Sequence, residues 1–127
     1  IFIEAALKNE PLFIYGDGTQ TRTFCYVEDT VSCITNLLKP SLDVKSINIG
    51  SDKQLTINHL AEIIINLTNS SSSIKYLPAL PKGDMTRRQP CCKLLNSVMP
   101  KEYRFLQLEE GLKKTIEYHI NSNKEKN

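Results

Sequence analysis

Three short stretches of this chain carry side chains that could hold or transform a ligand. The first is Tyr15-Gly16-Asp17-Gly18-Thr19-Gln20-Thr21-Arg22-Thr23-Phe24-Cys25-Tyr26. Its glycines permit positive φ and leave the backbone uncovered, so the turn can approach another group closely. A guanidinium beside such a turn, with aromatics following, can grip a phosphate through paired charge-assisted hydrogen bonds. The same residues also fit a plain hairpin-like connection with a surface arginine. The second is Thr56, at the head of an apolar-periodic segment, where a helix start offers free amides and a favourable dipole to an anion. Read alone, Thr56 is a helix cap. The third is Asp84-Met85-Thr86-Arg87-Arg88-Gln89-Pro90, whose adjacent arginines suit an anion and equally suit a solvated loop.

Other chemistries are poorly supplied. The four cysteines, Cys25, Cys33, Cys91 and Cys92, form no C-x-x-C pair, and His59 and His119 lie far from them in sequence. Adjacent Cys91 and Cys92 make a poor zinc pair, so no metal site is expected. Cys25 and Cys33 sit in apolar contexts and read as small core residues, and reduced thiols fit a cytoplasmic protein.

The elements that must position these stretches follow from periodicity and punctuation. Ile1–Asn9 reads as the end of a helix stopped by Pro11, and Leu12–Tyr15 as a short apolar strand. A second strand is expected around Arg22–Val27. Asp29 can then cap a helix carrying Val31, Ile34, Leu37 and Leu38 on its inward face, ending before Pro40. Ser46–Ile49 reads as a strand closed by Gly50. Thr56 heads a helix with Ile57, Leu60, Ala61, Ile64 and Leu67 as its buried stripe. After the serine loop at Ser70–Ser73, Ile74–Leu77 is another strand. Helices are expected over Cys91–Val98 and Leu108–Ile120, and Lys124–Asn127 should fray. Short strands alternating with helices mean an α/β arrangement.

Bulk properties bound the function. A length of 127 residues, 40% hydrophobic and 24% charged, is one domain or part of one. The net charge of +2 argues for no nucleic-acid partner, and no stretch is apolar enough to span a membrane. Ile1–Lys8 lacks the pattern of a signal peptide and opens inside an apolar helix, as though cut from something larger.

Tyr15–Asp29 resembles a segment of the extended short-chain dehydrogenase/reductase enzymes that act on nucleotide sugars, the NAD-dependent epimerase/dehydratase family. Within it the similarity is greatest to the UDP-glucuronate decarboxylases, which make UDP-xylose, followed by the 4,6-dehydratases and 4-epimerases. Three further pieces follow in the family's order. Asn48-Ile49-Gly50 resembles its Asn-(Ile/Leu)-Gly strand end, Gly83–Pro90 its acidic loop before Arg-x-Pro-Asp, and Glu109-Glu110-Gly111-Leu112 its closing helix. The match runs from about Pro11 to Tyr118. Cys91 departs from it, standing where the family has an aspartate and removing a helix cap.

The resemblance implies a C-terminal, substrate-binding portion of such an enzyme, residues 1–121, with a disordered tail at 122–127 and the dinucleotide-binding half absent. Phe13, Ile14 and Tyr15 would line the nucleotide side of the pocket. Arg22 would hold a phosphate or the nucleotide, with Thr56 approaching the same ligand. Arg88 would complete a clamp on the diphosphate, with Arg87 and Asp84 beside it. In the family NAD oxidises the sugar at C4, easing loss of the C6 carboxylate, before the hydride returns. The glycine-rich loop and the Tyr-x-x-x-Lys pair for that chemistry do not occur in this sequence. This chain alone is therefore expected to be inactive, its partners being a UDP-sugar and, in the parent, a second copy as a homodimer. A non-catalytic nucleotide-sugar-binding or interaction module is the reading from another class.

Overall fold

The computed structural model describes residues 1–38, 45–80 and 85–124. Asp84, among the expected ligand contacts, lies outside them, as do residues 125–127 at the end of the tail.

Helix α1 (Phe2–Leu7) leads into strand β1 (Leu12–Tyr15), whose alternation buries Leu12 and Ile14 and turns Phe13 and Tyr15 outward. Strand β2 (Thr21–Thr23) follows the glycine turn, and only three residues separate it from helix α2 (Val27–Leu37). The second strand is thus shorter than the aromatic pattern predicted, because Val27 is already helical. Strand β3 (Gln54–Thr56) runs straight into helix α3 (Ile57–Thr68), which Asn69 ends in the left-handed conformation, φ 50°. Strand β4 (Ile74–Leu77), helix α4 (Lys93–Val98) and helix α5 (Leu108–Lys124) complete the chain. Helix α5 continues four residues past the expected end at Ile120. Helix α4 starts two residues later than expected, and Cys92 at its head makes no side-chain cap bond.

Two small sheets result. β1 and β4 pair in parallel, Leu12 opposite Ile74 and Tyr15 opposite Leu77, with α3 in the connection between them. β2 and β3 pair antiparallel, Thr21 opposite Thr56 and Arg22 opposite Leu55. One core gathers Ala6, Leu12, Ile14, Leu60, Ala61 and Ile64 where α1 and α3 cover the parallel pair. The stripe expected on α3 supplies three of these, as a 3.6-residue period requires. Asn9, itself left-handed at φ 57°, fastens this layer: its Oδ1 accepts from the Ser71 amide at 2.9 Å and from the Ser70 and Ser71 hydroxyls at 3.1 Å.

A second core joins Cys33, Leu95 and Met99, with Ile47, Ile49, Tyr103 and Phe105 packed on it. Of the expected apolar face of α2, Leu37 packs on this core as anticipated, but its companions there are Asp29 and Cys33, spaced i, i+4, i+8. Val31, Ile34 and Leu38 point away, with Val31 53% and Leu38 76% exposed. Ser46–Ile49 forms no strand among the described residues; Ile47 and Ile49 find burial against this core without a ladder partner. Burial pushes the Cys33 and Cys92 thiols above the usual range, which keeps them protonated, and all four cysteines are free. No helix among the described residues is long and apolar enough to cross a membrane.

Candidate functional site

The turn after β1 is built by its own side chains and then locked by α3. Gly16 and Gly18 both sit at φ 73°. Asp17 Oδ1 accepts from the Thr19 hydroxyl at 2.7 Å and the Thr19 amide at 3.0 Å, and these bonds hold its carboxyl below the usual range. Gln20 Nε2 reaches back to the Tyr15 carbonyl at 3.0 Å. From α3, Asn58 Nδ2 donates to the Asp17 carbonyl at 2.9 Å, and the Tyr76 hydroxyl steadies Asn58 Oδ1 at 3.2 Å. A Cβ on Gly18 would run into the Asn58 amide, so this glycine is required twice over, by its φ and by the close approach.

The same docking closes the helix start that Thr56 heads. The Ile57 amide donates to the Gln20 carbonyl at 3.2 Å and the Asn58 amide to the Gly18 carbonyl at 3.1 Å. The His59 amide donates to Thr56 Oγ1 at 3.2 Å. The expected set of free amides therefore does not exist here: the first three are satisfied within the protein, and Thr56 acts as a cap.

The arginines come together through backbone pairing. Residues 86–88 lie alongside β2 on the edge away from β3: the Thr21 amide donates to the Thr86 carbonyl at 2.9 Å, and the Arg88 amide to the Thr21 carbonyl at 3.3 Å. Thr21 and Arg87 are thus partners in a parallel bridge, with Arg22 and Arg88 the residues that follow each of them. Arg22 Nη1 donates to the Met85 and Thr21 carbonyls, both at 2.8 Å, and so tethers the loop it faces. Arg87 Nη2 donates to Gln89 Oε1, and Gln89 Nε2 to the Asp52 carbonyl at 2.8 Å. Arg22, Thr56, Arg87 and Arg88 therefore share one three-stranded ribbon, although Arg22 and Arg88 are far apart in sequence.

The aromatic strand is divided. Phe13 and Tyr15 are half exposed on the outer face of β1, available to a flat ring. Ile14 is 1% exposed and packs into the first core, so its side chain lines no pocket. That corrects its expected place: strand alternation sends it inward.

Two cavities flank Phe24. One, about 300 Å³, lies between the β2–β3 ribbon and the head of α5, lined by Lys53, Leu55, Cys92 and Phe105 among others. The other, about 330 Å³, lies between the heads of α2 and α5, lined by Tyr26, Val27, Leu106 and Leu112 among others. Neither is lined by Arg22, Arg87 or Arg88. Arg87 and Arg88 are exposed and Arg22 is partly buried.

Sequence reasoning missed four side chains that set this geometry. Asn58 and Gln89 carry no local signal; each is one polar residue in a helix start or a loop. Gln54 fell in the polar loop before Thr56, with no strand expected there, and Asp29 was taken for a cap.

A dinucleotide site was tested against the residues present. The Gly16-Asp17-Gly18 turn joins strand to strand, whereas a dinucleotide cradle needs a glycine turn feeding a helix N-terminus. No Tyr-x-x-x-Lys pair occurs, and no cluster of three or more metal-ligating side chains exists among the described residues. The glycine turn therefore does not fit a dinucleotide cradle.

Residues 1–50 match the family model described as the NAD dependent epimerase/dehydratase family. A UDP-N-acetyl-alpha-D-glucosaminuronate decarboxylase of Bacillus cytotoxicus is 37% identical over 122 residues, 92% of this chain and 38% of that protein. UDP-glucuronic acid decarboxylase 1 of Danio rerio is 38% identical over 117 residues, 92% of this chain and 27% of that protein. Among solved structures, UDP-glucose 4-epimerase of Thermotoga maritima, crystallised with UDP-glucose, superposes with a TM-score of 0.82 at 30% identity. That match covers 95% of this chain and 38% of the epimerase. The chain thus spans well under half the length of the relatives it matches. Ordered motifs, the α/β fold and these likenesses agree that the chain belongs to the NAD-dependent epimerase/dehydratase family of nucleotide-sugar enzymes.

Proposed function

We propose that this chain is the nucleotide-sugar-binding portion of an NAD-dependent UDP-glucuronate decarboxylase-like enzyme, the C-terminal part of a longer protein. The observation that carries the reading is the pairing of Arg87 with Thr21, which, continued by one residue, brings Arg88 next to Arg22. A diphosphate carries about two negative charges near neutrality, and two guanidiniums can each give it paired, charge-assisted bonds. Phe13 and Tyr15, at the end of the strand feeding the same ribbon, offer apolar surface to a nucleoside. NAD would supply hydride chemistry from residues outside this chain. The part played here is to bind the remote nucleotide and so place the sugar for reaction.

Decarboxylation is favoured over epimerisation and dehydration by the names of the sequence relatives, two of which are decarboxylases of UDP-hexuronic acids. Incubating the full-length protein with UDP-glucuronate and following carbon dioxide settles the reaction type. Release of carbon dioxide with UDP-xylose is the expected result. A C4 epimer with no carbon dioxide makes it a 4-epimerase, and tight UDP binding without turnover makes it a binding module. The reading also places the enzyme in the cytoplasm, supported by four free thiols, as a homodimer.

A further inference from the structure

The two adjacent arginines of the 85–89 segment do different jobs. Side chains alternate faces along a strand, and register partners share a face. Arg87 is paired with Thr21, and Thr21 with Thr56, so Arg87 shares its face with Thr56 and with Gln54 two residues before it. Contacts agree with the register. The Gln54 side-chain amide lies against both Arg87 and Gln89: in one orientation its Nε2 donates to Gln89 Oε1 at 2.7 Å, and in the swapped orientation its oxygen accepts instead from Arg87 Nε at 2.6 Å and Nη2 at 3.2 Å. Gln89 takes a bond from Arg87 and spends its own donor on the Asp52 carbonyl, just before β3. Arg22 and Arg88, one position on, fall on the opposite face.

We propose that Arg87, Gln54 and Gln89 form a latch of positioning residues, which holds the 85–89 segment as a third strand so that Arg88 stands beside Arg22. Arg87 then makes no contact with the nucleotide sugar. Its Nη2 donates to Gln89 Oε1, and its Nε and Nη2 lie against the Gln54 amide, so this edge of the guanidinium is engaged inside the ribbon. The inference rests on the diphosphate clamp of Arg22 and Arg88 proposed above. It adds that the clamp has a support on the far face, made of residues with no chemistry of their own.

The test uses the full-length protein, with UDP and uridine as probes in titration calorimetry and backbone hydrogen exchange at Arg88. Arg87→Met and Gln89→Ala each weaken UDP binding about two- to tenfold, the range that loss of one hydrogen bond gives. Uridine binding stays as in the parent, and the double variant is no worse than the weaker single, because both break one latch. The Arg88 amide, which donates to Thr21, exchanges faster in each variant. Losses that multiply in the double variant mean that Arg87 touches the ligand and overturn the proposal. So does Gln89→Ala with parental UDP affinity and unchanged exchange. If Arg88→Met leaves UDP affinity unchanged, the clamp itself falls and the latch with it; if Arg88→Met weakens UDP while Gln89→Ala does not, only the latch falls.

Discussion

The Asp29 carboxylate accepts the Tyr103 hydroxyl at 2.8 Å, and its second oxygen accepts the Leu106 amide at 3.0 Å. Asp29 is only 9% exposed and lies inside the first turn of α2, where Tyr26 holds the cap position. It pins the segment between α4 and α5 to the head of α2, and so fixes Leu106, which borders both cavities beside Phe24. Charge-assisted bonds in such a place contribute about 1.5–3 kcal/mol each. Asp29→Ala, which also leaves the Leu106 amide and the Tyr103 hydroxyl without their acceptor, should lower stability by about 3 kcal/mol or more in denaturant titration. Tyr103→Phe should cost about 1 kcal/mol.

The same pair gives an alkaline signature. Burial first, and then the hydrogen bond to the Asp29 carboxylate, raise the Tyr103 hydroxyl above the usual tyrosine range. A group whose folded pKa is raised contributes stability that is complete below its unfolded pKa, about 10 for tyrosine, and is lost as pH climbs through the folded value. Stability should therefore fall above about pH 10, and less steeply in Tyr103→Phe. Denaturant midpoints from pH 8 to 11 measure it; equal slopes would show that the hydroxyl does not titrate high.

Ile14 and Tyr15, adjacent in β1, should separate stability from binding. Ile14→Ala opens a cavity in the first core and should cost about 2–5 kcal/mol. Tyr15→Ala, on the exposed face, should change stability by less than about 1 kcal/mol while weakening UDP binding by the full-length protein. Chemical denaturation and calorimetry of the two variants give the comparison.

Gly16 and Gly18 share φ 73° but not surroundings. A Cβ at Gly16 meets open space, so Gly16→Ala should cost about 1–2 kcal/mol for the left-handed backbone alone. Gly18→Ala adds a collision with Asn58 and should cost clearly more. Adding Asn58→Gly to Gly18→Ala should recover part of that excess; no recovery would mean that Asn58 is not what Gly18 avoids.

Val27, Val31, Ile34 and Leu38 form an exposed apolar stripe along α2 and its C-terminal cap. Uncovered stripes of this kind drive association. Light scattering should show the 127-residue chain self-associating, and Ile34→Lys should reduce its mean mass without lowering its melting temperature.

Much of this architecture was legible in the chain. Alternation in Leu12–Tyr15, the apolar period of α3, the Thr56 cap and the stop at Pro11 are local physics, encoded within a few residues of where they act. The motif order and the paired arginines likewise pointed to a diphosphate. What misled was a local pattern with more than one tertiary solution. The Val31, Ile34 and Leu38 stripe is a valid amphipathic face, yet the other face, through Asp29, Cys33 and Leu37, met the second core.

By itself, then, the sequence determined where the helices and the strands Leu12–Tyr15 and Ile74–Leu77 lie, where the glycine turn falls, and which family the chain belongs to; it did not show β3, and it put a strand at Ser46–Ile49 that does not form. Only the tertiary structure decided that Asp29 binds Tyr103 instead of capping a helix, that α3 spends its first amides on the glycine turn, and that Arg87 pairs with Thr21 along β2. Backbone periodicity and capping depend on neighbours a turn away and leave a mark in the local residue pattern. A buried carboxylate, a helix start or a guanidinium chooses among partners many tens of residues distant, and that choice is made when the layers pack.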